Sequence, residues 1–410
     1  MRRRFHHRRS PQAPFRSRRA TTCLAFGDVF LLLLVTALGS GWAAPALNVE
    51  SGLEFELDMV DAAGPADPWT KIAGDLDGDG RDELIVGGQQ GPLVWYGTPD
   101  FKKHTIAEGG WNTVSGAVGD VDGDGDRDVL LGGSIWLENP GNLQSAPDQL
   151  WKLHRIADDP THDIAAADFN GDGRLDAVTR NQSEFGAKSG NKIRVWLQQH
   201  GDQWQGVELD CPHGEGLAAA DLERDGDPDI VIGGTWFETI REGDKVRWQA
   251  HGFAEFHPNA TVAVADFNGD RQPDVALAPS ELAGQWHRIS WFEAPVDVRA
   301  GPWREHVLAD PMEAVVHSLL AADFDRDGRM DIAFAQMHQG TDPQEVGVFL
   351  NRGQGHSWHK EVLSTAGSHG LQTLDIDGDG APDLFGANWS GPRQTILLWH
   401  NRTRAHAPGR

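Results

Sequence analysis

Seven nine-residue, aspartate-rich segments recur along this chain, and no other feature restricts its fold as tightly. They begin at Asp75 (DLDGDGRDE), Asp120 (DVDGDGDRD), Asp168 (DFNGDGRLD), Asp221 (DLERDGDPD), Asp266 (DFNGDRQPD), Asp323 (DFDRDGRMD) and Asp375 (DIDGDGAPD). Successive starts are 45, 48, 53, 45, 57 and 52 residues apart. Short apolar runs, such as Ile164 to Ala167 before a segment and Ile230 to Ile232 after one, predict that each segment turns a hairpin between two strands. A third strand is marked by Trp95, Trp136, Trp196, Trp236, Trp291, Phe349 and Trp399 in turn. A fourth starts near Phe101, Trp151, Trp204, Trp248, Trp303 and Trp358. Four strands per period of about 50 residues make a propeller blade.

The predicted fold is therefore all-β, a seven-bladed β-propeller with four-stranded blades over residues 47–402 and a tail over 403–410. Six fourth strands follow a third strand, and the last blade lacks its own. The alternating segment Leu53-Glu54-Phe55-Glu56-Leu57 is expected to supply it, closing the ring and removing exposed sheet edges.

Within each segment, side-chain oxygens stand at positions 1, 3, 5 and 9. The four sets of the first half of the ring are Asp75, Asp77, Asp79 and Glu83; Asp120, Asp122, Asp124 and Asp128; Asp168, Asn170, Asp172 and Asp176; and Asp221, Glu223, Asp225 and Asp229. The remaining sets are Asp266, Asn268, Asp270 and Asp274; Asp323, Asp325, Asp327 and Asp331; and Asp375, Asp377, Asp379 and Asp383. With the carbonyl of position 7, such a loop wraps oxygen ligands around a hard cation. The expected ion is Ca2+, several per chain, since Mg2+ keeps its water and tolerates irregular geometry poorly. The fourth loop, with Glu223 and Arg224, and the fifth, with Arg271 where glycine is expected, depart most from the pattern.

These loops are similar to those of FG-GAP and VCBS repeat proteins, including the propellers of integrin α chains, over residues 53–402. The resemblance implies a propeller and calcium. It does not imply one function, because such repeats serve adhesion proteins, scaffolds, lectin-like modules and carbohydrate lyases.

If the acidic loops occupy one face, the start of each first strand and the loop after each second strand share the other. His162, His213, His257, His317 and His369 precede five first strands, and Trp69 and Trp111 take comparable places in the other two. Asn181, Glu184, Glu281, His287, Gln336, His338 and Asn388 follow second strands. The residues leave three readings open. The histidines are turn residues copied by duplication; or neutral imidazoles hold a transition metal such as Zn2+ or Mn2+ with Glu281 or Gln336; or a metal-free pocket takes a sugar or other polar small molecule.

The stretch Pro279-Ser280-Glu281 to Trp291-Phe292-Glu293-Ala294-Pro295, with Met337-His338-Gln339 and Ala387-Asn388-Trp389, loosely resembles the propeller of aldos-2-ulose dehydratase-type proteins. That implies a histidine-rich metal site at the channel mouth and elimination from a sugar, with His317 or His369 as the base. The expected function is an exported calcium-binding propeller that binds a carbohydrate-type ligand at this mouth. The alternatives are a metal-dependent carbohydrate lyase or dehydratase and an adhesive or structural scaffold.

Residues 1–46 combine a basic start, an uncharged run from Val29 to Leu38 and small residues ending in Ala44-Pro45-Ala46, the pattern of a signal peptide. A secreted or periplasmic location is expected, with membrane attachment only if that segment is retained. Its removal would leave 28 basic against 60 acidic residues, a net charge of −32, which repels nucleic acid and anionic lipid. Cys23 falls in the same segment, so Cys211 would stand alone and ions rather than disulfides would have to hold an exported domain together.

Overall fold

The computed structural model describes residues 52–405 except 112, 159–160, 182–190, 201 and 244. The predicted signal peptide and Glu184 lie outside the described residues. Among these residues there is no helix, and 28 strands form seven four-stranded antiparallel sheets. Their innermost strands are Pro68–Gly74, Gly116–Gly119, Asp163–Ala167, Ala218–Ala220, Ala260–Ala265, Val316–Ala322 and His369–Leu374. Each touches the next, and His369–Leu374 touches Pro68–Gly74, so the seven blades form a ring. Six sheets take their strands in chain order. In the seventh, Phe55–Asp61 pairs with Ile396–Asn401 as the outermost strand, Phe55 opposite Asn401.

Blades pack through alternating side chains whose inward-facing members are fully buried. Val275, Leu277 and Phe292 of the fifth blade meet Leu222, Val231 and Trp236 of the fourth. The third-strand tryptophan also organises its own blade. Trp136 lies flat on His154 at 4.0 Å between ring centroids, and Trp291 on His306 at 4.1 Å. Each of these histidines gives its Nε2 to a glutamate two residues beyond the tryptophan, Glu138 at 2.6 Å and Glu293 at 2.7 Å. The fourth-strand histidines His104, His154, His251 and His306 are thus packing residues of the blade exterior.

Near the channel, the side chain five places before the loop ties neighbouring blades in five of the seven, the other two having Gly216 and Gly370 there. Thr70 donates to the Thr113 carbonyl, Ser115 Oγ accepts from Ile164 N at 2.8 Å, Asp163 Oδ2 from Gly216 N at 2.9 Å and Ser318 Oγ from Leu371 N at 2.7 Å. These bonds are buried or part-buried, and a backbone N–H left unpaired in such a setting would cost about 1–3 kcal/mol. They fix the register of the first strands relative to one another, and therefore decide which residue of each strand reaches the mouth.

Candidate sites on the two faces of the ring

All seven aspartate loops join the first and second strands of their blades and share one face. Position 1 accepts the backbone N–H groups that follow it: Asp75 takes Gly78 N at 2.8 Å and Gly80 N at 3.0 Å. Position 9 is buried and holds two strands together. Asp331 Oδ2 accepts Phe324 N at 3.0 Å while Oδ1 accepts Asn351 N at 2.7 Å from the end of the third strand. Burial pushes these carboxyls up to about 7 in Glu83, Asp128, Asp176, Asp274 and Asp331, about 6 in Asp383 and about 9 in Asp229. A cation set among these carboxylates would favour their ionised form.

Carboxylate oxygens converge to within 4.8 Å in four loops, through Asp75, Asp77 and Glu83; Asp120, Asp122 and Asp128; Asp323, Asp325 and Asp331; and Asp375, Asp377 and Asp379. The third and fifth loops offer Asn170 and Asn268 at position 3. In the fifth, Arg271 adopts the left-handed backbone (φ +73°) that glycine takes in the others, and its N–H still reaches Asp266 Oδ2 at 2.7 Å. The fourth loop is different. Arg299 brings its guanidinium to Glu223 at 3.0 Å and to Glu238, so a side chain already supplies positive charge there.

On the opposite face, the residue six places before each loop decides who meets at the mouth. Those seven residues are Trp69, Val114, His162, Glu215, Ala260, His317 and His369. His317 stacks on His369 with centroids 4.2 Å apart and stands edge-on to His162 at 5.8 Å. Glu215 lies between them, 3.6 Å from His162 Nε2 and 3.8 Å from His317 Nε2, and Glu281 comes within 3.6 Å of His317 Nε2. His162, Glu215 and His317 line the channel below, a cavity of about 140 Å3.

Glu215 does not stand out in the sequence. It follows His213 by two residues and holds the place taken by His162, His317 and His369 in other blades, so fixed register was the signal that would have found it. Its backbone is confined: a Cβ on Gly216, at φ +88°, would fall 1.8 Å from the Ala260 carbonyl. The buried Arg180 guanidinium clamps the same turn through the carbonyls of Glu215 at 2.6 Å and Gly216 at 2.8 Å.

His213 and His257 stand eight and nine places before their loops rather than six, in the turns that precede the strands. Among the described residues neither joins a metal-competent group. His257 faces His287 at 6.1 Å in a neighbouring cavity of about 480 Å3 that Arg288 also lines. Trp111, also nine places early, is packed between blades with Leu93 and Ile106. Trp69 does reach the mouth, 4.1 Å from Trp389, whose ring meets His338 edge-on at 5.2 Å. Asn388 is fully buried, and both ends of its amide are engaged, Oδ1 by His338 N at 3.1 Å and Nδ2 by the Ala366 carbonyl at 3.0 Å. It supports the wall rather than presenting itself to a ligand. Gln336 is similarly engaged by Glu345 N at 3.0 Å. Asn181 ends the strand Asp176–Asn181.

Electrostatically the mouth is divided. Burial alone would lower the His162 imidazole, but Asp163, Glu215 and Glu281 raise it to about 9. Burial, reinforced by His317 and Lys71, pushes His369 well below the usual histidine range, so it is neutral at pH 7. Burial and the adjacent Glu215 push Glu281 up, and its backbone is left-handed at φ +60°, an uncommon state for a residue with a side chain.

FG-GAP-like repeats are present in the chain: the family described as FG-GAP-like repeat matches residues 75–131 and 323–386, the first two and last two loops. The chain is 26% identical over 343 residues to cartilage acidic protein 1 of Xenopus tropicalis, covering 71% of this chain and 51% of the relative. It thus spans about half the length of the curated relative it matches. Among solved structures it resembles BBS1N in complex with ARL6DN, in crystals soaked with mercury and with lead, at TM-scores of 0.54 and 0.52 and 13% and 12% identity. Each alignment covers 86% of this chain and 98% of the other, and the likeness is one of fold.

Proposed function

We propose that this FG-GAP-repeat propeller is an exported, calcium-stabilised protein whose histidine-bearing mouth binds a polar, carbohydrate-type ligand. The observation that carries the reading is the aromatic wall of Trp69, Trp389 and His338 standing beside a floor of buried histidine and carboxylate. Indole faces pack against the C–H faces of sugars, while a few converging polar groups select hydroxyls or a carboxylate. Export is supported by the basic-then-apolar start of the chain, and calcium by the oxygen-rich loops.

The test is a glycan array probed with calcium-loaded protein, followed by calorimetry on the best hit. Trp389→Ala should weaken that binding at least tenfold while the melting temperature in calcium stays within a few degrees. An array with no hit, or a hit indifferent to both Trp389→Ala and Trp69→Ala, would remove the reading.

One observation favours a second reading, a carbon–oxygen lyase at the same mouth: His369 is held neutral beside His317 and could accept a proton. Elimination would move the proton α to a carbonyl or carboxylate onto the imidazole and break the C–O bond at the β-carbon, the departing hydroxyl or glycosidic oxygen taking up a proton as water or an alcohol and leaving a conjugated double bond. Ultraviolet absorbance on incubation with uronate oligosaccharides, lost in His369→Ala, is the check.

A further inference from the structure

We infer that the mouth binds one divalent first-row transition ion through His162, Glu215 and His317, at a site chemically distinct from the aspartate loops. The inference does not depend on the ligand being a carbohydrate. The ligating atoms of the three side chains lie within 4.8 Å of one another, and all three residues are buried. His317, 7% exposed, has a hydrogen-bond partner at neither ring nitrogen, and Glu215 Oε2 has none either. Polar atoms so placed destabilise a fold unless something pairs with them, and an imidazole nitrogen and a carboxylate oxygen are both electron-pair donors to a cation.

The surroundings orient these donors. His162 Nδ1 meets Asp163 Oδ1 at 3.2 Å, which turns Nε2 toward Glu215, and Asp163 is itself held by Gly216 N at 2.9 Å. An outer carboxylate that fixes a ligating histidine in this way is a recurrent support of metal sites. Ser280 bonds Glu215 Oε1, so Oε2 is left to face His162 Nε2. Two nitrogens and a carboxylate favour zinc and its first-row neighbours, whereas calcium prefers six to eight oxygens. Glu281, 3.6 Å from His317 Nε2, adds a second negative charge, so that with Glu215 it balances a divalent ion. Three protein ligands leave a coordination position toward the channel.

The experiment titrates Co2+ into full-length protein in millimolar CaCl2, which occupies oxygen-rich loops and holds the fold. One equivalent should produce a saturable visible d–d band that Zn2+ abolishes. Glu215→Gln and His317→Gln should weaken the Co2+ affinity read from the band by more than about 100-fold, beyond what loss of an outer-shell partner causes. His213→Ala and His257→Ala should bind as the parent does. Melting in calcium confirms that each variant is folded, and His162→Gln replaces either that is not. No band at one equivalent, an unchanged band in both Glu215→Gln and His317→Gln, or its loss in His213→Ala or His257→Ala would overturn the assignment.

Discussion

The two faces of this ring are built from the same seven repeats by opposite rules. On the loop face every blade presents nearly the same residues, and each loop assembles its donors within nine consecutive positions. On the mouth face the position six places before each loop holds five kinds of residue across the seven blades: Trp69, Val114, His162, Glu215, Ala260, His317 and His369. A local site survives copying because its geometry travels with its sequence. A shared site at the axis exists once per molecule, so its blades are free to diverge, and only their register holds it together. The loop face should therefore govern stability and the mouth face chemistry.

The largest effect that would test this division is calcium removal. Each site filled at 100 times its dissociation constant adds about 2.7 kcal/mol, so emptying four or more would cost on the order of 10 kcal/mol and lower the melting temperature by well over about 10 °C. A melt in a tight chelator that matches the melt in calcium would break the comparison at its first face.

Metal-free protein should also show an inverted pH profile. The position-9 carboxyls are raised by burial to about 7 in Asp128, Asp176, Asp274 and Asp331, above their unfolded value near 3.8. An acid raised in the fold stabilises it below the unfolded pKa and loses that contribution as pH rises through the folded pKa. Chelated protein should melt higher at pH 5 than at pH 7.5, and calcium should remove or reverse the difference. Denaturant melts at the two pH values decide it.

Next in size is the strand staple. Asp331→Ala strands Phe324 N and Asn351 N in a dry setting and should cost about 2–5 kcal/mol in a denaturant melt. Arg271→Gly should act in the other direction. It relieves a left-handed backbone, offset partly by the entropy of an added glycine, and should stabilise by about 0.5–1 kcal/mol. The smallest effect belongs to the mouth. His369→Leu exchanges a buried imidazole with an unpartnered Nδ1 for an apolar group, and should move stability by less than about 1 kcal/mol while abolishing any base function.

What the sequence discloses follows the same division. The loops, their place between first and second strands, the seven blades and the aromatic third strands are legible because each is a local pattern repeated at a nearly constant spacing. At the mouth, a histidine eight or nine places before its loop looks like one that is six before it until register is fixed, and register rests on bonds between blades such as Ser318 to Leu371. For that reason the sequence alone groups His213, His257 and Trp111 with His162, His317 and His369 and leaves Glu215 out. Asn388 shows the same limit. A polar residue in a loop looks available to a ligand, and only its two backbone contacts, to His338 and Ala366, reveal a supporting part.

The most direct test of the division between faces is elemental analysis of the purified protein and of its Glu215→Gln variant, after long dialysis against metal-free buffer. The account predicts several calcium ions and one transition ion per chain in the parent, and the same calcium with no transition ion in the variant. A parent without calcium, or a variant that keeps its transition ion or loses calcium with it, would contradict the account.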